Sequence, residues 1–286
     1  MKNRILISLS LVGIIASCAS NPELDDEKVV TKKLKASNSA PMAGTPKDTN
    51  DKSANANGPK ADPRIDWQGQ LSEALKTQDE DKIVAAAEKI ISENPADIRA
   101  LNSMAMVHYR HGKFEVSRNL LSSGLKLQPK SAELHSNLGL VLYSMGETFD
   151  GIKELRKAVE IMPDHAQANA TLGSIYVQNK DYAKAIIVLE TAYLKGVRDL
   201  KTLNNYAITL SVRKENSLAQ EMFEKILKET PHDKEVMMNY AIFLIENLEK
   251  YKEGLDLINR LKFVGVPPES KSRILALENK AKSGLK

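Results

Sequence analysis

Cysteine occurs once in this chain of 286 residues, at Cys18, and a single thiol excludes both an internal disulfide framework and a zinc site built on several thiolates. Charge of one sign is not in marked excess, with 41 basic against 37 acidic residues. A near-neutral chain has little electrostatic purchase on phosphates, so nucleic acid is not an expected partner. No Gly-x-Ser-x-Gly nucleophile turn and no phosphate-cradling glycine loop occurs. His108 and His111 stand three apart in "MVHYRHGK", but no carboxylate close by completes a ligand set. The absences together predict no enzyme, no cofactor and no bound metal. His135, His165 and His232 fall at helix starts or between periods of the pattern described below, where polar residues are ordinary.

Long apolar runs are also missing, apart from one near the N-terminus. Lys2 and Arg4 precede an apolar stretch from Ile5 to Ile15, followed by the small residues Ala16 and Ser17. That order is the one of a secretory leader, and the run is too short to span a bilayer as a helix. Ile15-Ala16-Ser17-Cys18 resembles the bacterial lipobox, in which an aliphatic residue and two small ones precede a cysteine. The resemblance implies that residues 1–17 are a cleaved signal peptide and that Cys18 is lipidated, palmitate included. Two or three acyl chains at ~0.8 kcal/mol per buried CH₂ make a firm anchor. Loss of Lys2 and Arg4 would leave 39 basic against 37 acidic residues. Ala19 in place of an aspartate implies sorting to the outer membrane, with the protein on its periplasmic face.

Residues 18–62 contain almost no aromatic or large aliphatic side chains and are rich in Ser, Ala, Asn, Pro and Lys. Such a stretch buries too little apolar area to offset its ordering entropy. It reads as a flexible tether, with a root-mean-square reach of about 35 Å by the flexible-chain relation.

Beyond it, residues 63–286 are periodic. Pro95, Pro129 and Pro163 fall 34 residues apart, and Pro231 follows after two periods. Small residues at Gly139, Gly173, Ala207 and Ala241 recur where two helices would cross, since a longer side chain pushes the axes beyond their usual 8–10 Å. Large residues at Leu138, Leu172, Tyr206 and Tyr240 stand beside them. Gly112 and Gly146 fit left-handed turns between helices, and proline closes the second helix in the units that carry it.

The unit "TLGSIYVQNKDYAKAIIVLETAYLKG" resembles a tetratricopeptide repeat through Leu172, Gly173, Tyr176, Tyr182, Ala185, Leu189 and Ala192. The resemblance implies an all-α tetratricopeptide-repeat solenoid of about six helical hairpins, near 64–97, 98–131, 132–165, 166–199, 200–233 and 234–268. The first keeps Trp67 and Pro95 but little between, and the sixth carries one extra residue around "NLEKYKEG". A last amphipathic segment with Ile274, Leu277 and Ala281 on one stripe reads as the capping helix.

In this family the inner, concave face is lined by the first helix of each hairpin and is the usual working surface. Carried onto this chain, the resemblance implies a partner-binding groove of Arg99, Asn102, Met106, Tyr109 and Arg110, then Asn137, Leu140 and Tyr143. Thr171, Ser174 and Val177 follow, then Asn204, Asn205, Ile208 and Ser211, and finally Asn239, Ile242 and Ile245. Asn137, Asn205 and Asn239 share one position, where an amide can pair with both a donor and an acceptor of a peptide backbone. The expected ligand is an extended segment or a helix of a protein partner. The groove lacks a matched set of lysines and arginines beside paired asparagines, so a clamp for a terminal carboxylate is not expected.

A lipobox followed by such repeats is similar to the pilotin lipoproteins of type IV pilus systems, which help a secretin ring assemble, and to repeat lipoproteins of gliding-motility machines. The resemblance implies a membrane-anchored interaction adaptor of the bacterial envelope. A scaffold or chaperone for outer-membrane or peptidoglycan enzymes is the reading from a different class.

Overall fold

The structure of the chain, a computed structural model, describes residues 66–286. The expected leader 1–17 and the expected lipidated Cys18 with its tether to residue 62 lie outside the described residues. The described residues form α1 (Trp67–Thr77), α2 (Glu80–Glu93), α3 (Ile98–Arg110), α4 (Phe114–Leu127), α5 (Ala132–Ser144), α6 (Thr148–Ile161) and α7 (Ala166–Gln178). They continue with α8 (Tyr182–Leu194), α9 (Leu200–Val212), α10 (Asn216–Glu229), α11 (Lys234–Ile242), α12 (Tyr251–Val264) and α13 (Lys271–Gly284). Consecutive pairs from α1 to α12 make six hairpins, and α13 closes the series. The expected all-α tetratricopeptide-repeat solenoid is the fold.

Local chemistry starts each first helix in the same way. Asp66, Asp97, Ser131, His165, Asp199 and Asp233 precede α1, α3, α5, α7, α9 and α11, and each side chain accepts from the amide three residues on. That bond satisfies one of the free N–H groups of a helix start. Between the helices of each hairpin one residue turns left-handed. Gly112 (φ 70°) and Gly146 (φ 85°) do so at little cost, whereas Gln78, Lys180, Lys214 and Glu249 hold φ of 56–62° with a side chain attached.

The helices of a hairpin meet at small residues. A Cβ on Gly173 would stand 2.4 Å from Leu189 Cδ2, so a larger residue there would force the buried Leu189 side chain to shift. In the third hairpin both helices use glycine, at Gly139 and Gly151. The fifth uses the fully buried Ala207 and Ala219. In the sixth, Gly254 faces Ile245, which packs in the core and not in the groove. The extra residue of this hairpin is absorbed by a π-helical turn, Phe243–Asn247, that ends the first helix early.

Both ends of the solenoid are closed by different means. The third residue of each unit is Ala100, Leu134, Ala168, Thr202 or Val236, and the tenth is Val107, Val141, Ile175, Thr209 or Phe243, all buried. In the first unit these positions hold Asp66 and Glu73, both exposed, so the outer face of the first hairpin is solvated. At the other end Ile274, Leu277 and Ala281 of α13 cover the last hairpin. A polar outer face or a capping helix is what a stack of repeats requires at its ends.

First helices lie alongside one another, α3 with α5, α5 with α7 and α7 with α9, while each second helix packs onto the first helix of the next hairpin. First helices are therefore on the inside of the stack, and the candidate groove belongs to them.

Candidate partner-binding groove

Neighbouring first helices are tied by polar rungs across the inner face. Asn102 donates through Nδ2 to Glu133 Oε1 at 2.6 Å and accepts from Asn137 Nδ2 at 2.8 Å. Three repeats further on, Asn204 donates to Glu235 Oε1 at 3.1 Å and accepts from Asn239 Nδ2 at 3.3 Å. Asn205 donates to Ser174 Oγ at 3.0 Å. Tyr109 shares a hydrogen bond with Ser144, Tyr143 donates to Gln178 Oε1, and Asn247 Nδ2 donates to Ser211 O.

These rungs revise part of the expected site. Asn204 (2% exposed), Asn205 (8%) and Ser174 (9%) are buried between helices and are not open to a ligand. Their polar atoms are spent on holding the fourth, fifth and sixth hairpins together, because a buried amide without a partner is costly. Ile245 is buried outright. Asn102, Asn137 and Asn239 remain partly exposed, each with amide capacity beyond its rung.

What the inner face presents is a half-buried floor of Met106, Leu140, Tyr143, Val177, Ile208 and Ile242, with Tyr109, Thr171 and Ser211 beside it. No formal charge stands on that floor. The charged residues at its margins are engaged by neighbours: Arg99 donates to Ser72 Oγ at 2.9 Å, Arg110 pairs with Glu80, and Arg273 pairs with Glu246 at 2.8 Å. The Arg110 hydrogen bond is the main reason that the Glu80 carboxyl stays below its ordinary value. Such a face suits a ligand that brings apolar side chains and backbone hydrogen bonds rather than compensating charge.

His108 lines a cleft of about 340 Å³ beside α2, with Glu80, Asp81, Val84, Glu88 and His111 around it. Burial pushes the His108 imidazole below its ordinary value, with Lys113 and His111 acting in the same direction. His111 is exposed, yet its Nε2 lies 2.8 Å from Glu80 Oε2. Among the described residues no cluster of three histidine, cysteine or acidic side chains is placed to hold a metal ion. No described helix is long and apolar enough to cross a membrane. His135 is a surprise: it is buried, with Nδ1 2.6 Å from Glu154 Oε2 and Nε2 3.0 Å from Pro129 O. Asn169, the residue one repeat on, binds Pro163 O at 3.0 Å, and that shared spacing was the available sequence signal.

Tetratricopeptide-repeat family models match residues 102–161 and 166–194. A TPR repeat-containing protein of Dictyostelium discoideum is 26% identical over 144 residues, and TPR repeat-containing protein YpiA of Bacillus subtilis is 24% identical over 169. These alignments cover 48% and 59% of this chain, and the chain spans 55% and 40% of those two proteins. Among solved structures, YrrB, described as a TPR protein with an unusual peptide-binding site, superposes with a TM-score of 0.57 at 16% identity. That match covers 70% of this chain and 99% of YrrB. Pseudomonas aeruginosa PilF gives a TM-score of 0.52 at 21% identity over 65% of this chain and 88% of PilF. At these identities the structures speak to the fold alone. Repeat matches in register with the hairpins, together with the solenoid itself, show that the fold of this chain is that of the tetratricopeptide repeat.

Proposed function

We propose that the protein is a non-catalytic adaptor that holds an extended segment or helix of a partner protein along its inner face. The observation that carries this reading is the uncharged floor from Met106 to Ile242, partly exposed and recurring in five hairpins. A solenoid's concave surface is its usual working face, and YrrB, of the same fold, is described as having a peptide-binding site. We further propose that Cys18 is lipidated, that the tether carries the repeats away from the membrane, and that the adaptor assists an envelope machine of the type IV pilus secretin kind at the outer membrane.

Photo-crosslinkers placed at Tyr143 and Ile208, and at the exposed second-helix residues Lys153 and Glu221 as controls, test the groove in intact envelopes. A common partner trapped from the inner positions only supports the reading. Capture from the second helices alone overturns it. Loss of secretin multimers in a deletion strain supports the pilus role, intact secretin with lost gliding points to a motility complex, and altered cell shape with neither points to a wall-enzyme scaffold.

A further inference from the structure

Charge is distributed along the solenoid axis in a way that the overall near-neutrality conceals. Residues 66–97, the first hairpin, hold eight acidic and three basic side chains. Residues 98–259 are balanced, with 20 acidic and 21 basic. Residues 260–286, the end of α12 and the capping helix, hold seven basic and two acidic. The two ends of the stack therefore carry opposite charge, five units in excess at each, with a neutral body between them.

The same two ends carry apolar side chains in the open. Phe263 is 94% exposed and Leu275 on the outer side of α13 is 58% exposed, with Lys271 and Lys280 exposed on the same helix. At the other end Trp67 is half-buried and Leu75 is 36% exposed, near the exposed Asp66 and Glu73. Internal pairing leaves this polarity in place. Lys262 and Lys282 both bind Glu278, Arg273 binds Glu246, and Arg110 binds Glu80, which uses up little of either excess.

We propose that the protein associates with itself head to tail, the basic capping end of one copy docking on the acidic first hairpin of the next. Charge complementarity selects this occupant: each end lacks what the other supplies, and both belong to one chain. Contact between two different surfaces is a heterologous interface, which extends into short chains or closes into a ring. Attraction between opposed clusters steers the encounter and fixes its polarity, while Phe263 and Leu275 supply apolar area. The inner face stays free in such a chain, so several grooves would be presented in a row.

Sedimentation velocity on the processed chain from residue 18, carrying Cys18→Ser so that no acyl chain contributes, tests the proposal. Association that rises with protein concentration at about 50 mM salt and weakens at least tenfold at about 0.5 M, where the Debye length falls to a few ångströms, is the expected result. Lys271→Glu with Lys280→Glu should abolish it, and Glu73→Lys with Glu93→Lys should also abolish it. Mixing these two variants should restore a one-to-one complex, because the unaltered acidic first hairpin of the lysine variant then meets the unaltered basic capping end of the glutamate variant. All four positions are exposed, and circular dichroism checks that each variant is folded. A monomer at every salt concentration, association indifferent to both reversals, or a mixture that fails to reassociate would each overturn the proposal. So would a monomeric protein whose capping helix instead binds phosphatidylglycerol vesicles in a manner lost with Lys271→Glu and Lys280→Glu.

Discussion

Gly139 and Gly151 face one another across the third hairpin so closely that a Cβ on either would strike the other's carbonyl oxygen, at 2.8 Å from Gly139 and 2.9 Å from Gly151. Neither residue is in a left-handed conformation, so the need for glycine here is spatial. Two backbones at this distance leave no flexible side chain to move aside.

Gly151→Ala should therefore force the helices apart, an overpacking cost of about 1–3 kcal/mol. Thermal or urea melts of the chain check this. Gly146→Ala, where nothing lies within 4 Å of the added carbon, should instead show only the backbone penalty of a left-handed alanine, about 1–2 kcal/mol. Equal tolerance of Gly151→Ala and the wild type would contradict the close approach.

Lys180 and Lys214 occupy the turn position that Gly112 and Gly146 fill elsewhere, at φ of 59° and 62°. Lys180→Gly should relieve about 1–2 kcal/mol of left-handed strain and lose about 0.5–1 kcal/mol to a freer unfolded chain. A net rise in stability of roughly 0.5–1 kcal/mol is expected by the same two terms, read as an increase in denaturant midpoint. A fall would mean that the lysine side chain contributes a contact that outweighs its strain.

Burial alone would raise the Glu154 carboxyl, but hydrogen bonds from Lys157 and His135 outweigh it and hold the group below its ordinary value of 4.5. A carboxyl depressed in the folded state stabilises fully above its unfolded value and loses that contribution as pH falls through the folded one. Stability of the wild type should thus decline below about pH 4.5 in part through this group. Glu154→Gln should cost about 1.5–3 kcal/mol near neutral pH, the range for hydrogen bonds to charged groups, and flatten the acid limb. Melting curves from pH 3 to pH 7 on both proteins provide the check.

Asn205 and Tyr143 should separate bracing from binding. Asn205→Ala removes the bond to the buried Ser174 and should destabilise the fold by about 1–3 kcal/mol. Tyr143→Ala gives up the rung to Gln178 and a ring packed against the core, so it should also lower the melt, by about 0.5–3 kcal/mol. It should weaken partner capture about tenfold, the equivalent of about 1.4 kcal/mol. Photo-crosslinking yield together with thermal melts reads the two effects independently. A Tyr143→Ala variant that melts early yet captures its partner normally would move Tyr143 from the groove to the core.

A 34-residue spacing of small, large and proline residues was enough to place six hairpins and the crossing positions Gly139 and Gly173, because steric exclusion at a helix crossing acts on single residues. The capping stripe of Ile274, Leu277 and Ala281 was legible for the same reason, since a 3.6-residue period is local. The groove was only half legible. Asn137 and Asn205 occupy one repeat position and look alike in sequence, yet Asn137 is partly exposed while Asn205 is buried against Ser174. Gly151 was missed because its partner Gly139 lies twelve residues away on another helix.

What the sequence by itself determined is the repeat unit: its helices, caps, turns and the faces they bury, all of which follow from neighbours within about 34 residues. Only the tertiary structure decided how successive units share their polar groups. Whether an asparagine stays open or is held by a neighbouring helix depends on the residue at the facing position of the adjacent repeat: Ser174 binds Asn205 and buries it, whereas Met106 stands at that place before Asn137, which stays partly exposed. That choice is a matter of distance between chain segments 31 residues apart, and the desolvation cost of an unpaired amide then settles it.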